Sequence, residues 1–167
     1  MGFIKYIENL GINKSVDFEN ANCEYNPNLS LVLPLAKEFF GNHIDALYLC
    51  LGSDLSGAGK FIRQFVKRFD SADEIGDIYS KSFLKQAKRK YDIIIATDAY
   101  EPIRKLPCAR RRLKEKALVA NIKKLLFHKG IALFEDDISK KMQKDLAKNF
   151  NVATIGDKFK IIIVEKE

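Results

Sequence analysis

Two loops carry the residue types in this chain that can do chemistry. The first, residues 52–59, is rich in glycine, and the second, residues 98–102, begins with an aspartate. Glycines let a backbone approach a ligand closely and adopt positive φ, and an aspartate such as Asp98 can take a proton from an acceptor. The candidate ligand-binding residues of the first loop are Gly52, Ser53, Asp54, Gly57 and Gly59. We expect a ligand against the first loop and a reaction beside the second.

Each loop directly follows a continuous apolar run, Ala46–Leu51 before the first and Tyr91–Thr97 before the second. Such runs, bounded by turn-forming residues, are typical of strands buried on both faces of a parallel sheet. In open α/β sheets, ligands bind in the crevice beyond the carboxyl ends of these strands. Both loops are therefore predicted to face one crevice.

Helical and apolar stretches alternate along the rest of the chain. The predicted helices are Leu29–Phe40 with Asn28 or Ser30 as its cap, Lys60–Phe69, Ser82–Lys90, Ala109–Phe127 with Gly130 in a left-handed cap, and Ser139–Asn149. The further predicted strands are Glu74–Ile78, Ile131–Phe134 and the hairpin of Val152–Ile155 with Lys158–Val164. This order predicts a doubly wound, mostly parallel α/β sheet with an antiparallel C-terminal strand. Residues 1–27 are predicted to be an N-terminal extension and residues 28–167 a single domain.

Three segments, in this order, resemble Rossmann-type S-adenosylmethionine-dependent methyltransferases. Residues 51–59 resemble the family's glycine loop, residues 91–98 its strand that delivers an acid to the active site, and residues 125–135 its helix, turn and fifth strand. The resemblance implies S-adenosylmethionine (SAM) as cofactor, with the first loop under its methionine part and Asp54 facing its ammonium group. It also implies that Asp98 contacts the cofactor and serves the reaction.

The ribose of such a cofactor is commonly bound by an acid near the end of the second strand. Asp77 is the candidate, with Asp73 or Glu74 as substitutes, and Ile78 is a further candidate for cofactor binding. The segment Ile75-Gly76-Asp77 resembles the segment near the adenine in one group of the family, the nidovirus-type ribose 2′-O-methyltransferases.

Within this family, the nearest resemblance is to nidovirus-type ribose 2′-O-methyltransferases, through residues 52–54 and 97–102. That group uses a Lys-Asp-Lys-Glu tetrad, of which only Asp98 has a clear match here. Glu135 stands near the place of the second lysine and Lys158 near that of the final glutamate, so both charges are reversed. The predicted catalytic residues are Asp98, Tyr100 and Glu135. Tyr100 would stack on a base or line the acceptor pocket, and a packing role is the alternative.

The positive charge of the chain is concentrated near the second loop. The net charge is +7, and residues 104–116 carry seven basic residues against one acid. Such a field favours polyanions, so RNA is the predicted acceptor, although a solvated helix face has the same composition. The predicted substrate-binding residues are Arg104, Lys105, Arg110, Arg111 and Arg112.

Three other functions stay open. Residues 54–61 are close to a phosphate-binding P-loop, but Asp54 stands at its leading glycine and Phe61 at its magnesium-binding hydroxyl. Residues 91–102 also resemble spermidine-synthase-like enzymes, in which Asp98, Glu135 and Asp136 would hold a polyamine. A cofactor-free module for binding RNA or protein is the third. Binding of ATP with magnesium would indicate the P-loop, binding of a polyamine the spermidine-synthase-like enzyme, and binding of no cofactor the interaction module.

The composition points away from membranes and metals. The apolar runs are far shorter than the ~20 residues that span a bilayer, and residues 1–8 do not resemble a signal peptide. The three cysteines, Cys23, Cys50 and Cys108, lack metal-ligand spacing. We expect a protein of the reducing cytoplasm without a metal.

Overall fold

Six strands of the described chain form a single sheet. The computed structural model describes residues 1–13, 27–49, 57–96, 99–135 and 138–167. The strands are β1 (Asp45–Tyr48), β2 (Arg68–Ser71), β3 (Tyr91–Ala96), β4 (Leu126–Glu135), β5 (Asn151–Ile155) and β6 (Ile161–Glu165). Their order across the sheet is β2-β1-β3-β4-β6-β5, and β6 runs antiparallel to both of its neighbours. The predicted mostly parallel sheet with a reversed last strand is confirmed.

Helices cover both faces of this sheet. They are α1 (Phe3–Asn9), α2 (Leu29–Phe40), α3 (Gly57–Arg63), α4 (Ala72–Ile75), α5 (Phe83–Gln86), α6 (Glu101–Arg104), α7 (Cys108–Leu125) and α8 (Lys140–Asn149). Apolar residues of α1, α2 and α3 form one core with one face of the sheet, and those of α4 to α8 form a second core with the other face. The predicted doubly wound arrangement is therefore confirmed.

The centre of the sheet shows why apolar runs become strands here. Ile93, Ile94 and Ile95 of β3 are all fully buried, and successive side chains enter opposite cores. A strand covered on both faces needs apolar residues at every position, and branched side chains pack well on the pleated surface. The apolar run that predicted β3 therefore reflects the burial of this strand on both of its faces.

The predicted helix Leu29–Phe40 is confirmed at both ends, but not its cap. The side chain of Asn28 makes no capping hydrogen bond to the helix. Instead it is fully buried and its amide donates to the carbonyl of Phe159. Asn28 therefore joins the start of α2 to the loop before β6.

Two predicted elements between β1 and β3 were wrong. The helix expected over Lys60–Phe69 ends at Arg63, and Phe69 lies in β2, where its ring packs 6.0 Å from that of Tyr48. The strand expected over Glu74–Ile78 is the short helix α4, which ends before Gly76 with its φ of 147°. The spacing of the phenylalanines suits a helix, and β2 is too short for the alternation of a strand to stand out in the sequence. The pairing of β2 with β1 nevertheless places Phe69 in a strand.

The predicted left-handed cap at Gly130 was also wrong. The helix α7 ends at Leu125, Gly130 lies within β4, and the positive φ of 63° belongs to Lys129. A Cβ on Gly130 would lie 3.1 Å from the carbonyl oxygens of Tyr91 and Asp92. A side chain there would press on the backbone of β3, so glycine suits the close approach of β3 and β4.

The N-terminal helix packs against the sheet. Phe3 and Ile7 are 0% and 1% exposed, and the backbone amides of Phe3 and Ile4 donate to the carboxylate of Glu165 at 2.9 and 3.1 Å. This packing joins α1 to β6, while the division into an extension and a single domain stays a prediction.

Candidate cofactor and acceptor site

The candidate site lies where β1, β3 and β4 end. These strands are parallel neighbours, so their carboxyl ends meet at one edge of the sheet, which we call the strand-end edge. Gly57 and Gly59 open α3 after β1, and Gly59 is buried. Tyr100 follows β3, and Glu135 is the last residue of β4. Gly52, Ser53, Asp54 and Asp98 lie outside the described residues.

Asp77, the predicted ribose-binding acid, is held by two neighbours. One carboxylate oxygen accepts the backbone amide of Tyr79, and the other accepts the ammonium of Lys114, both at 3.0 Å. Its side chain is 50% exposed. Because a carboxylate offers about four lone-pair sites, Asp77 can still accept two hydroxyl groups.

The predicted substitutes for Asp77 lie closer to the end of β2. This strand ends at Ser71, and Asp73 and Glu74 are exposed residues of the following helix α4.

Ile78, a further predicted cofactor-binding residue, is held by the buried Asn121 of α7. The Asn121 amide donates to the Ile78 carbonyl at 2.6 Å. Ile78 is 6% exposed.

A tyrosine connects the Asp77 region with the loop that carries Asp98. The Tyr79 hydroxyl donates to the carbonyl of Ala99, and the Lys114 ammonium lies 5.7 Å from the centre of the Tyr79 ring. Burial, followed by the charge of Asp77, raises the pKa of Tyr79, so the hydroxyl stays a donor at neutral pH. Sequence reasoning missed Tyr79 and Lys114, because nothing local marks them as partners.

Tyr100 lies inside the protein. It is 3% exposed, and its hydroxyl donates to Glu115 Oε1 at 2.8 Å. Burial and then the hydrogen bond to Glu115 raise the pKa of Tyr100. The contact favours the packing alternative for Tyr100, while a role in the reaction stays a prediction.

Glu115 is the centre of a buried polar cluster. Besides Tyr100, its carboxylate accepts the hydroxyl of Ser139 at 2.6 Å and the guanidinium of Arg112 at 3.0 Å. Burial opposes ionisation, but these hydrogen bonds and the Arg112 charge outweigh it and hold the pKa of Glu115 below its ordinary value. Glu115 therefore carries its charge at neutral pH.

The five predicted RNA-binding residues differ in what they contact. Arg112 pairs with both Glu115 and Asp145, and its side chain is only 25% exposed. Arg104 pairs with Glu101 at 3.3 Å, and Arg111 donates to the Arg104 carbonyl at 3.2 Å. Lys105 and Arg110 are exposed. The charge of Arg112 is thus neutralised within the protein, whereas Lys105 and Arg110 face solvent.

Glu135 ends β4 as a partly exposed residue paired in register with Ile161 of β6. Its neighbour Asp136 lies outside the described residues. The predicted catalytic role of Glu135 stays a prediction.

The described residues contain no group of histidine, cysteine or acidic side chains that could hold a metal ion. Among the helices of the same residues, none has the length and apolar character to cross a membrane.

Comparison with known proteins identifies the fold. No family model and no curated protein sequence matches the chain. The N-methyltransferase NodS from Bradyrhizobium japonicum WM9, in complex with S-adenosyl-L-homocysteine (SAH), matches with a TM-score of 0.58 and 10% identity over 99% of this chain and 98% of its own. SAM-bound CalS10, an amino pentose methyltransferase from Micromonospora echinaspora, matches with a TM-score of 0.55 and 8% identity over 87% of this chain and 93% of its own.

A TehB-like SAM-dependent methyltransferase from Corynebacterium glutamicum has a TM-score of 0.52 and 12% identity over 99% of this chain and 96% of its own. The chain therefore has the Rossmann-like fold of SAM-dependent methyltransferases. The resemblance carried by the three sequence segments is confirmed at the level of the fold, and the narrower resemblance to nidovirus-type enzymes stays a prediction.

Proposed function

We propose that this chain transfers the methyl group of SAM to RNA. The single observation that carries the proposal is the shared fold, because NodS with bound SAH matches over nearly the full length of both chains. At 10% identity, the match supports the reaction class through the architecture of the strand-end edge and not through shared side chains.

The residues at this edge fit such a cofactor. Gly57 and Gly59 begin α3 without side chains that would keep a ligand from the backbone, and Asp77 retains lone pairs for ribose hydroxyls. SAM supplies an electrophilic methyl group, so the main task of the protein is to position the acceptor in line with it. In this proposal Asp98 orients or deprotonates the acceptor, Glu135 borders it, and Tyr100 acts as a positioning residue through Glu115.

The proposed RNA acceptor is supported by charge at the same edge. The helix α7 leads directly into β4, so its first residue lies at the strand-end edge and its last at the opposite edge. Lys105 and Arg110 are exposed beside its start. Exposed cations there suit a phosphate backbone that passes the loop carrying Asp98.

Calorimetry tests the cofactor. We expect SAM and SAH to bind the full chain, and ATP with magnesium not to bind. Binding of ATP with magnesium alone would instead favour the P-loop, and binding of none of the three would favour a cofactor-free interaction module.

Transfer of a labelled methyl group from SAM tests the acceptor. We expect label in RNA, with an RNA affinity whose logarithm falls by roughly 0.7 per contacted phosphate for each tenfold rise in salt. Label in a polyamine with none in RNA would contradict the RNA assignment and favour a small-molecule acceptor.

A further inference from the structure

A basic cavity lies between the starts of α7 and α8. Both helices begin at the strand-end edge, because α8 follows β4 there and α7 runs from that edge down to the start of β4. The cavity has a volume of about 190 Å³. It is lined by Cys108, Arg111, Arg112, Glu115, Ser139, Lys140 and Lys141.

Among the described residues, the lining of the cavity carries more positive than negative charge. Arg112 is neutralised by Glu115 and Asp145, so these acids do not cancel the other cations. Within the described part of the chain, no acidic side chain forms an ion pair with Arg111, Lys140 or Lys141. Three cationic groups therefore surround the cavity.

The floor of the cavity is fixed by hydrogen bonds. The Ser139 hydroxyl donates to Glu115 at 2.6 Å and accepts the backbone amide of Met142 at 3.1 Å, which caps α8. The two helix starts are thereby tied together, and their dipoles add partial positive charge on the same side as the three cations. A pre-formed cationic cavity of this kind suits a compact anion.

We infer that this cavity binds a phosphate group, with Arg111, Lys140 and Lys141 as its cationic ligands. This inference rests on the proposed function for the source of the phosphate, which is a phosphodiester of the acceptor RNA. Tyr100, two residues after Asp98, reaches the Glu115 carboxylate in the cavity floor. A phosphodiester held there anchors the strand beside the loop that carries Asp98.

The cationic lining also separates the cavity from the polyamine alternative. An amine ligand would be repelled by Arg111 and the two lysines, while a phosphate is attracted to all three. Lys140 and Lys141 were absent from the sequence-based set, because they lie about 30 residues beyond Arg111 and only the packing of α8 on α7 brings them together.

The test compares two double variants on one helix. Lys140→Gln with Lys141→Gln removes two cavity cations, and Lys144→Gln with Lys148→Gln removes two exposed charges from the same helix away from the cavity. Binding of a short fluorescent single-stranded RNA is followed from about 50 to 200 mM salt. Thermal unfolding verifies that both variants are folded, as expected for substitutions at exposed positions.

We expect the cavity variant to bind RNA about 10-fold more weakly at low salt, with a salt slope shallower by roughly 0.7, and the control to lose no more than about 3-fold. Equal losses in both variants would overturn the pocket in favour of a diffuse field. In the wild-type protein, saturating RNA should slow alkylation of the exposed Cys108 thiol, followed by peptide mass spectrometry. Unchanged alkylation with RNA bound would also overturn the pocket.

A nucleoside monophosphate and orthophosphate serve as small competitors. If either protects Cys108 while RNA does not bind, the phosphate chemistry stands and RNA is overturned as its source. Calorimetry with SAH separates the two proposals. If SAH binds but Lys140→Gln with Lys141→Gln does not weaken RNA binding, only the phosphate pocket is contradicted. If this double variant weakens RNA binding but SAH does not bind, only the methyltransferase function is contradicted.

Discussion

Glu115 of α7 accepts a hydrogen bond from the hydroxyl of Ser139, with 2.6 Å between the two oxygens. The same carboxylate oxygen accepts the Tyr100 hydroxyl at 2.8 Å. Because Tyr100 follows β3 and Ser139 follows β4, one buried carboxylate links two loops of the strand-end edge. We therefore expect the positions of both loops to depend on the charge and geometry of Glu115.

Replacing Glu115 by glutamine tests this link. The change keeps the volume but removes the charge that pairs with Arg112, and it places the amide nitrogen either against that guanidinium or against the two hydroxyls that share Oε1. We expect Glu115→Gln to lower the free energy of unfolding at pH 7 by about 2–4 kcal/mol, measured by urea denaturation. Glu101→Gln, at an exposed ion pair, is the control and should change it by less than about 1 kcal/mol.

The same variant predicts a pH dependence. The pKa of Glu115 is lowered in the folded protein, so its stabilisation is present above the unfolded-state pKa and is lost as the pH falls through the lower, folded-state pKa. The difference in stability between the wild type and Glu115→Gln should therefore shrink once the pH drops below about 4. A difference that stays constant down to acid unfolding would contradict the assigned charge.

Phe3 tests whether the N-terminal helix is part of the fold. Its ring is fully buried and lies 5.5 Å from the ring of Phe39. We expect Phe3→Ala to cost about 3–5 kcal/mol of stability, while Leu10→Ala, at a side chain 52% exposed, should cost less than about 0.5 kcal/mol. Equal stability of the two variants would support a dispensable extension.

Asp77 tests the proposed ribose contact. We expect Asp77→Asn to weaken SAH binding about 10-fold, because hydroxyl groups bond more strongly to a charged acceptor. Lys114→Gln removes only the partner of Asp77 and should leave SAH affinity within about 3-fold, since the carboxylate keeps its lone pairs. If Asp77→Asn binds SAH normally and Asp73→Asn or Glu74→Gln does not, the ribose-binding acid lies in α4.

Asp98 tests the proposed chemistry. We expect Asp98→Ala to lower the rate of methyl transfer at least ~100-fold and to leave SAH affinity within a few-fold, because its main effect is on the transition state. Asp157→Ala, in the loop between β5 and β6, is the matched control. If Asp98→Ala kept most of the wild-type rate of methyl transfer, Asp98 would be removed from the mechanism and Glu135 would be the next candidate.

Local patterns in the sequence determined much of the fold. The apolar run of β3 and the helix Leu29–Phe40 follow from periodicity among neighbouring residues, and the hairpin signal at Gly156 predicted the reversed last strand. These signals succeed because the burial of each element is repeated along its own length. Where an element is short, as in β2, the helical spacing that ends at Phe69 gave the wrong answer, because pairing with β1 outweighs local preference.

The tertiary structure alone decided which charges are available to a ligand. Arg110, Arg111 and Arg112 are equivalent in sequence, but successive residues of a helix point about 100° apart. Arg112 consequently meets Glu115 and the distant Asp145, Arg110 faces solvent, and Arg111 joins Lys140 and Lys141 at one cavity. The charges and the i,i+3 spacing of Arg112 and Glu115 can be read from the sequence. The second partner of Arg112 and the cationic neighbours of Arg111 cannot, because only the packing of α7 against α8 brings them within reach.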